Sequence, residues 1–311
     1  MQNLPQSFRK EKNAGICHPL AFTIPKKSDQ IRIVFDSSAQ YEGILLNSVL
    51  LKGPDLNNNL LGILIRFRKE KIAVTADIQH MYYCFTVKEE HRDYLRFLWF
   101  CDNAWNHRIV DYRMRVHVFG NTPSPNVALY CLRRAARGGE AELGSDVRAF
   151  IEKDFYVDNA LKSFATESDA IRVLKRAQEM LSHSHIRLHK ITSNSAAVVK
   201  EFPPEDRATS IKDFDFSTGD VPMQHSLGIS WNILTDTFTF QVQIDDKPFT
   251  RRGVLSTINS IFDPLGFLSP VTIQSRSLLR ELSMDKRDWD EPLPENQRAE
   301  RIKWKSSLQC L

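Results

Sequence analysis

Apolar and polar residues alternate along this chain in segments whose spacing changes from one stretch to the next, and the changes lay out its elements. Residues 1–30 are polar and broken by Pro5, Pro19 and Pro25, which predicts an extended lead-in. Ile31 to Phe35 alternates as a strand does. Between 57 and 69 apolar residues recur at Leu60, Leu61, Leu64, Ile65 and Phe67, a helical spacing that closes on Arg66, Arg68 and Lys69. Lys71 to Asp77 reads as a buried strand ending on an acid, and a strand pair is expected at 93–100 and 108–119. A run free of Gly and Pro then extends to Gly138-Gly139, with Ser124 as its expected cap, Pro125 at its first helical position and the Gly pair as its stop.

The second half follows the same logic. A hairpin is predicted from Ile151 to Val157 and Ala160 to Phe164 around an Asp158-Asn159 turn, since Asx residues tolerate positive φ. Thr166 and Asp169 form a capping-box pair that opens a helix with Ala170, Leu174, Ala177 and Leu181 on one face. A strand follows at 185–192. Residues 203–222, with Pro203, Pro204, Gly219 and Pro222, read as a linker. A hairpin around Leu227–Trp231 and Phe238–Val242 leads into a helical end from Arg252 onward.

Composition narrows the class. A length of 311 residues suggests two or three domains, and 42% hydrophobic with 26% charged residues excludes a disordered chain, a collagen and a small disulfide scaffold. Apolar stretches such as Leu60 to Ile65, interrupted by Gly62, fall far short of the ~18–20 residues that span a bilayer. No secretory leader is evident at the start, so an intracellular, cytoplasmic protein is expected. Five scattered cysteines without a CxxC pair read as reduced thiols rather than a zinc module. Net charge is only +4, but residues 1–140 carry +7 and the remainder −3, a modest lure for phosphate in the first half.

The order strand-acid, helix, hairpin-acid, helix, strand is a βαββαβ pattern. If the strands carrying Asp77 and Asp158 are neighbours, both carboxylates emerge at one sheet edge. Two hard oxygen donors there could hold a pair of Mg²⁺ ions that bridge the phosphates of a nucleotide.

These segments, taken in order, resemble the reverse transcriptase region of Bel/Pao-type LTR retrotransposon polyproteins, from about residue 17 to the C-terminus. The matching strings are Arg32-Ile-Val-Phe-Asp-Ser-Ser-Ala39, Leu51-Lys-Gly-Pro-Asp-Leu56, Leu64-Ile-Arg-Phe-Arg68, Thr75-Ala-Asp-Ile78 and Leu95-Arg-Phe-Leu-Trp99. Val116-His-Val-Phe-Gly120, Ser124-Pro125, Phe155-Tyr-Val-Asp158 and Arg187-Leu-His-Lys190 continue the series. Leu227-Gly-Ile-Ser-Trp231, Arg251-Arg-Gly-Val-Leu255 and Phe262-Asp-Pro-Leu-Gly-Phe-Leu-Ser-Pro270 end it.

The resemblance implies an α+β right-hand polymerase: lead-in and fingers over 1–70, a palm with an RRM-like βαββαβ sheet over 71–202, a linker at 203–222 and a thumb or connection over 223–311. The last segment resembles one catalogued as Pao retrotransposon peptidase A17. The implied activity is RNA-directed DNA polymerase, with template, primer and dNTPs as partners, two Mg²⁺ ions (Mn²⁺ as substitute) as cofactors and a cytoplasmic retrotransposon particle as setting. RNase H, integrase and protease domains are not recognised in the chain. Asp77 matches the first catalytic aspartate and Asp158 the first acid of the Tyr-x-Asp-Asp turn. Tyr82, five residues after Asp77, matches the aromatic gate against a ribose 2′-hydroxyl, or else is a core aromatic. Arg32 matches a triphosphate clamp, with Lys26 or Lys27 beside it or simply solvated. Gly120, Ser124 and Pro125 fit the motif lining the template and nucleotide pocket, and Lys190 a lysine that protonates pyrophosphate.

One departure stands out. The turn ends in Asp158-Asn159, and an amide offers an oxygen without charge, so divalent-ion affinity should fall with Asp77, Asp158 and Asn159 as ligands. Weak or absent activity is therefore expected, and the alternative is a non-catalytic nucleic-acid-binding remnant. An aspartic peptidase is a distant third, because Asp215 stands one place too early before Ser217-Thr-Gly219. His183, His185 and His189 read as surface histidines or phosphate contacts, with a metal cluster as the lesser possibility.

Overall fold

A computed structural model describes residues 18–24, 27–41, 43–104, 106–208, 223–226, 229–240, 247–284 and 288–308. The chain divides into two compact units: residues up to Ile191 with Ala197–Arg207, and Thr192–Ala196 with Ala208 onward.

The first unit opens on an antiparallel ribbon, β1 (His18–Ile24) with β2 (Lys27–Asp36). Part of the expected extended lead-in is thus a paired strand. Helix α1 (Leu60–Phe67) starts where Asn59 accepts the Gly62 N–H at 3.0 Å, and it buries Ile63, Leu64 and Phe67. Strand β3 (Ile72–Ile78) follows, then a hairpin of β4 (Arg96–Phe100) and β5 (Ile109–Arg113), in which β4 starts three residues later and β5 ends six residues earlier than the sequence predicts. Helix α2 (Ser124–Gly138) begins one residue earlier than expected. Pro123 already has helical φ/ψ (−79°, −16°) and accepts the Val127 N–H at 3.0 Å, so it takes the cap position and Ser124 makes no capping bond.

Helix α3 (Ser145–Lys153) occupies residues where the sequence reading begins a strand; Ile151 is buried as a helical residue. The strand itself is short, β6 (Phe155–Tyr156), and it pairs with β7 (Asn159–Phe164). Helix α4 (Glu167–Ser182) is opened as predicted, with Thr166 Oγ1 accepting the Asp169 N–H at 3.1 Å. Strand β8 (Leu188–Ser193) completes a four-stranded sheet in the order β8-β3-β7-β6.

That sheet is the βαββαβ arrangement expected from the pattern. Ile72 to Ala76 are all buried, which marks β3 as a strand covered on both faces. Helix α1 packs against β6 and β7, while α2, α3 and α4 pack on one another and α4 also lies on β3 and β7. Their shared core includes Val74, Leu132, Phe150, Phe155, Leu174 and Leu181, each at most 2% exposed. Burial of one such side chain contributes roughly 1.5–3 kcal/mol.

In the second unit β9 (Met223–Ser226), β10 (Ile229–Asn232) and β11 (Thr237–Thr239) form an antiparallel meander. Helices α5 (Arg251–Asn259), α6 (Ser269–Met284) and α7 (Glu295–Ser307) enclose Val254, Leu278, Leu282 and Trp304. Gly253 is obligatory here, because a Cβ would stand 1.9 Å from the Pro248 carbonyl oxygen. Of the expected linker, residues 209–222 lie outside the described residues, as do Leu227 and Val242 of the expected hairpin. Among the described residues no helix is long and apolar enough to cross a membrane, and Cys84, Cys101 and Cys131 are free thiols.

Candidate active site

Asp77, one residue from the end of β3, stands directly opposite Asn159, the first residue of β7. Opposed residues of an antiparallel pair project to the same face, so the two side chains share one sheet edge. Asp158 immediately precedes Asn159, and its carbonyl accepts the Ile78 N–H at 2.9 Å, which fastens the β6–β7 turn over the end of β3. The Asn159 amide donates to Asp158 Oδ1 at 2.8 Å. The strand order thus brings Asp77, Asp158 and Asn159 together, as the alternating pattern predicts.

The turn lies one residue earlier than expected. Tyr156 pairs with Asn159, which leaves Val157-Asp158 as the two-residue connection. Tight hairpins of this length need a positive φ in the loop, and it falls on Val157 (55°) rather than on an Asx residue. A branched side chain held there stores strain of order 1–3 kcal/mol.

Strand β8 contributes more than the sequence suggests. His189 Nε2 lies 3.3 Å from Asp77 Oδ1, and Lys190 Nζ lies 3.1 Å from Asp77 Oδ2. Successive residues of a regular strand point to opposite faces, so two neighbours cannot both reach one carboxylate unless the backbone departs from the pleat. Lys190 does depart, with φ at 50°. His189 is therefore a site residue that sequence reasoning left on the surface; its adjacency to Lys190 in the Arg187-Leu-His-Lys190 string was the available signal. His183 and His185 are exposed.

The two acids sit in opposed electrostatic settings. Burial pushes Asp77 upward, but the His189 hydrogen bond and the Lys190 charge outweigh it and hold the carboxyl below its usual range. Burial, and after it the negative charge of Asp77, holds Asp158 above the usual range. Two carboxylates in mutual repulsion, with an amide oxygen beside them, form a hard donor set that a divalent cation would relieve, so these residues fit such an ion. Among the described residues no three or more His, Cys, Asp or Glu side chains converge as a metal-holding group. The donor set is thus two acids supplemented by Asn159.

Tyr82 takes the core position that the sequence allows as its alternative. Its ring is buried, edge-on to Phe119 at 4.5 Å between centroids, and its phenol is pushed up by burial and then by the charge of Asp158. It is a core aromatic whose hydroxyl lies in the field of the site. The Gly120 loop is held rigidly. Asn47 donates to the Gly120 carbonyl and accepts from the Thr122 N–H, both at 2.8 Å, and Ser37 donates to the buried Asn121. Gly120 has φ +102°, and a Cβ there would lie 2.1 Å from the Phe35 carbonyl oxygen. Ser124 is buried with its Oγ 3.4 Å from His117 Nδ1, and Pro125 occupies the first turn of α2.

The basic candidates are less fully described. Lys26 lies outside the described residues; Lys27 and Arg32 belong to β2, opposite Ile24 and Phe22. Asp215 and Ser217-Thr-Gly219 also lie outside the described residues.

Residues 250–310 match a family described as Pao retrotransposon-like RNaseH-like domain. The sequence reading recognises no RNase H and expects a thumb or connection there; the matched residues hold α5, α6 and α7 and, among those described, no strand. No curated protein matches the chain. Among solved structures, the foamy viral protease-reverse transcriptase in complex with dsDNA has a TM-score of 0.59 at 14% identity over 94% of this chain and 51% of its own. The same viral enzyme in complex with RNA/DNA hybrid gives 0.58 at 13%, over 94% of this chain and 33% of its own. A dRH form with ds DNA gives 0.59 at 13%, over 94% and 43%. The chain thus spans between a third and about half of the proteins whose fold it shares. It shares its fold with part of the foamy viral protease-reverse transcriptase, and its residues 250–310 are similar to a Pao retrotransposon family segment.

Proposed function

We propose that this chain is an RNA-directed DNA polymerase domain of a retrotransposon, impaired by Asn159. The observation that carries this reading is the placement of Asp77 across from Asn159 and beside Asp158 at one sheet edge, each acid in the field of the other. On this reading residues 1–70 are fingers, 71–202 a palm and 223–311 a thumb or connection. The foamy viral relatives, solved with dsDNA and with RNA/DNA hybrid, support a primer–template as the partner.

Asp77, Asp158 and the Asn159 carbonyl oxygen would hold Mg²⁺, which when bound lowers the pKa of an attacking hydroxyl and steadies a leaving phosphate oxygen. The protein's own part is positional. The buried Tyr82 ring forms a rigid wall beside Asp158 that leaves room for deoxyribose and crowds a 2′-hydroxyl. The clamped Gly120 loop lets backbone approach a nucleotide closely, because no side chain stands there. Arg32, with Lys26 or Lys27, would take the triphosphate.

Primer extension on an RNA template with Mg²⁺ tests this, comparing the native chain with Asn159→Asp and Asp158→Ala. Extension by Asn159→Asp well above native, with none from Asp158→Ala, is the expected result. Failure of all three favours the second reading, a nucleic-acid-binding remnant. That reading has its own observation: the Asn159 Nδ2–H donates to Asp158 Oδ1, so one oxygen of that acid is already engaged by its neighbour. Such a remnant binds primer–template with strong salt dependence and no need of metal or dNTP.

A further inference from the structure

We propose that His189 and Lys190 form a cation latch on Asp77, which a divalent ion must displace before Asp77 can serve as its ligand; the proposal rests on the metal-site reading above. Both carboxylate oxygens are already engaged, Oδ1 by His189 and Oδ2 by Lys190. An ammonium on Oδ2 cancels much of the attraction that an incoming dication would feel at that atom. Asn159 leaves the site one negative charge short of an Asp at the same place. Uncharged amide and resident lysine therefore act in the same direction, and both lower metal affinity.

The latch is built from backbone. Only the left-handed conformation at Lys190 lets two consecutive strand residues converge on one carboxylate, so it depends on a local departure that a regular strand lacks. The two arms differ. The His189 side chain is 14% exposed and held beside the sheet, whereas that of Lys190 is 51% exposed and can swing into solvent. Half-exposed ion pairs hold weakly, so the lysine is a releasable arm rather than a permanent partner. The groups facing Asp77 are His189, Lys190 and, as a like charge, Asp158.

Binding of Mn²⁺ alone, followed through the electron paramagnetic signal of the free ion at low ionic strength, tests the latch on the full chain. Lys190→Met keeps the aliphatic stem and removes the charge; it should bind Mn²⁺ about tenfold more tightly than native. Lys190→Arg should stay at the native affinity, and Asp77→Asn should lose binding. A second readout is melting: without metal Lys190→Met should melt below native, and saturating Mn²⁺ should raise it by more than it raises native. Equal affinities for native and Lys190→Met, with binding lost in Asp77→Asn, would overturn the latch and leave the metal site standing. Absence of Mn²⁺ binding in every variant, Asn159→Asp included, would overturn the metal-site reading and the latch with it.

Discussion

Two carboxylates of the first unit look alike in their partners and differ in everything else. Asp154 joins Arg66 Nε at 3.0 Å and Lys162 Nζ at 2.7 Å; Asp77 joins His189 at 3.3 Å and Lys190 at 3.1 Å. The Asp154 side chain is 3% exposed, and its partners come from the last turn of α1 and from within β7. Its bonds tie a helix, a helix end and a strand together. Asp77 is 22% exposed, faces a second acid, and owes its partners to a lysine with left-handed backbone. The lesson is that a two-cation partnership does not mark a functional acid. On the function proposed here, the like-charged neighbour and the stored backbone strain are what set Asp77 apart, because neither helps the fold and both need a reason.

Substituting each acid in turn should separate the two roles. In the Asn159→Asp background, Asp77→Asn is expected to lower primer extension about 10³-fold while shifting stability by less than about 1 kcal/mol, since its ion-pair partner Lys190 can return to water. Asp154→Ala should do the reverse, lowering stability by about 2 kcal/mol, because the hydrogen bonds that tie Arg66 and Lys162 to the end of α3 are lost. Its extension rate per folded molecule should remain near native. Urea melts and extension rates on the same preparations check both halves. An Asp154→Ala chain that folds as well as native would remove the basis of the comparison.

A smaller effect should appear in the pH dependence of stability. Burial and the Asp77 charge raise the folded pKa of Asp158 above the 3.8 of a free aspartate, so the native state holds that proton more tightly than the unfolded chain does. Ionising it disfavours folding: the penalty is absent below 3.8, grows as pH rises through the raised folded value and is complete above it. Asp158→Asn removes the penalty, and at neutral pH it should be more stable than native by about 1 kcal/mol while losing extension. The two melting temperatures should converge as pH falls toward 3.8. Asp77, lowered in the folded state, has the opposite sign: its contribution is present above 3.8 and is lost as pH falls through the lowered value. Measuring both variants across the same range tells the paired acid from the repelled one.

How much of this was legible in the chain depends on what each feature requires. The sheet order follows from periodicity and connection order, and Asp77 and Asp158 follow from their positions at a strand end and a turn. The capping of α4 was legible because Thr166 and Asp169 act locally. Helix α3 was not, because Ile151 to Val157, with Glu152, Lys153 and Asp154 between its apolar residues, is too short a segment to separate a helix end from a strand. His189 was hidden for a different reason. Alternation places it on the opposite face from Lys190, and only the backbone at Lys190 brings both to Asp77. Asp154 carried no signal either, since its partners lie 88 residues before it and 8 after it.

The finest test of the comparison concerns Val157. Its φ of 55° is a conformation that glycine adopts freely and a branched residue does not. Val157→Gly relieves that strain, but it loosens the unfolded chain and removes a side chain that packs against the core. The relief should exceed the losses slightly, for a net gain of about 0.5 kcal/mol, read as a small rise in melting temperature. Function should move the other way. The turn carries Asp158 to its place beside Asp77, and a glycine there widens the range of positions the carboxylate visits, so extension should fall several-fold with template affinity unchanged. A gain in stability with a loss in rate would mean that the strain at Val157 serves to position Asp158. A loss in both would mean that the valine is retained for its packing, and Val157 would then belong with Asp154 among the residues that hold the fold.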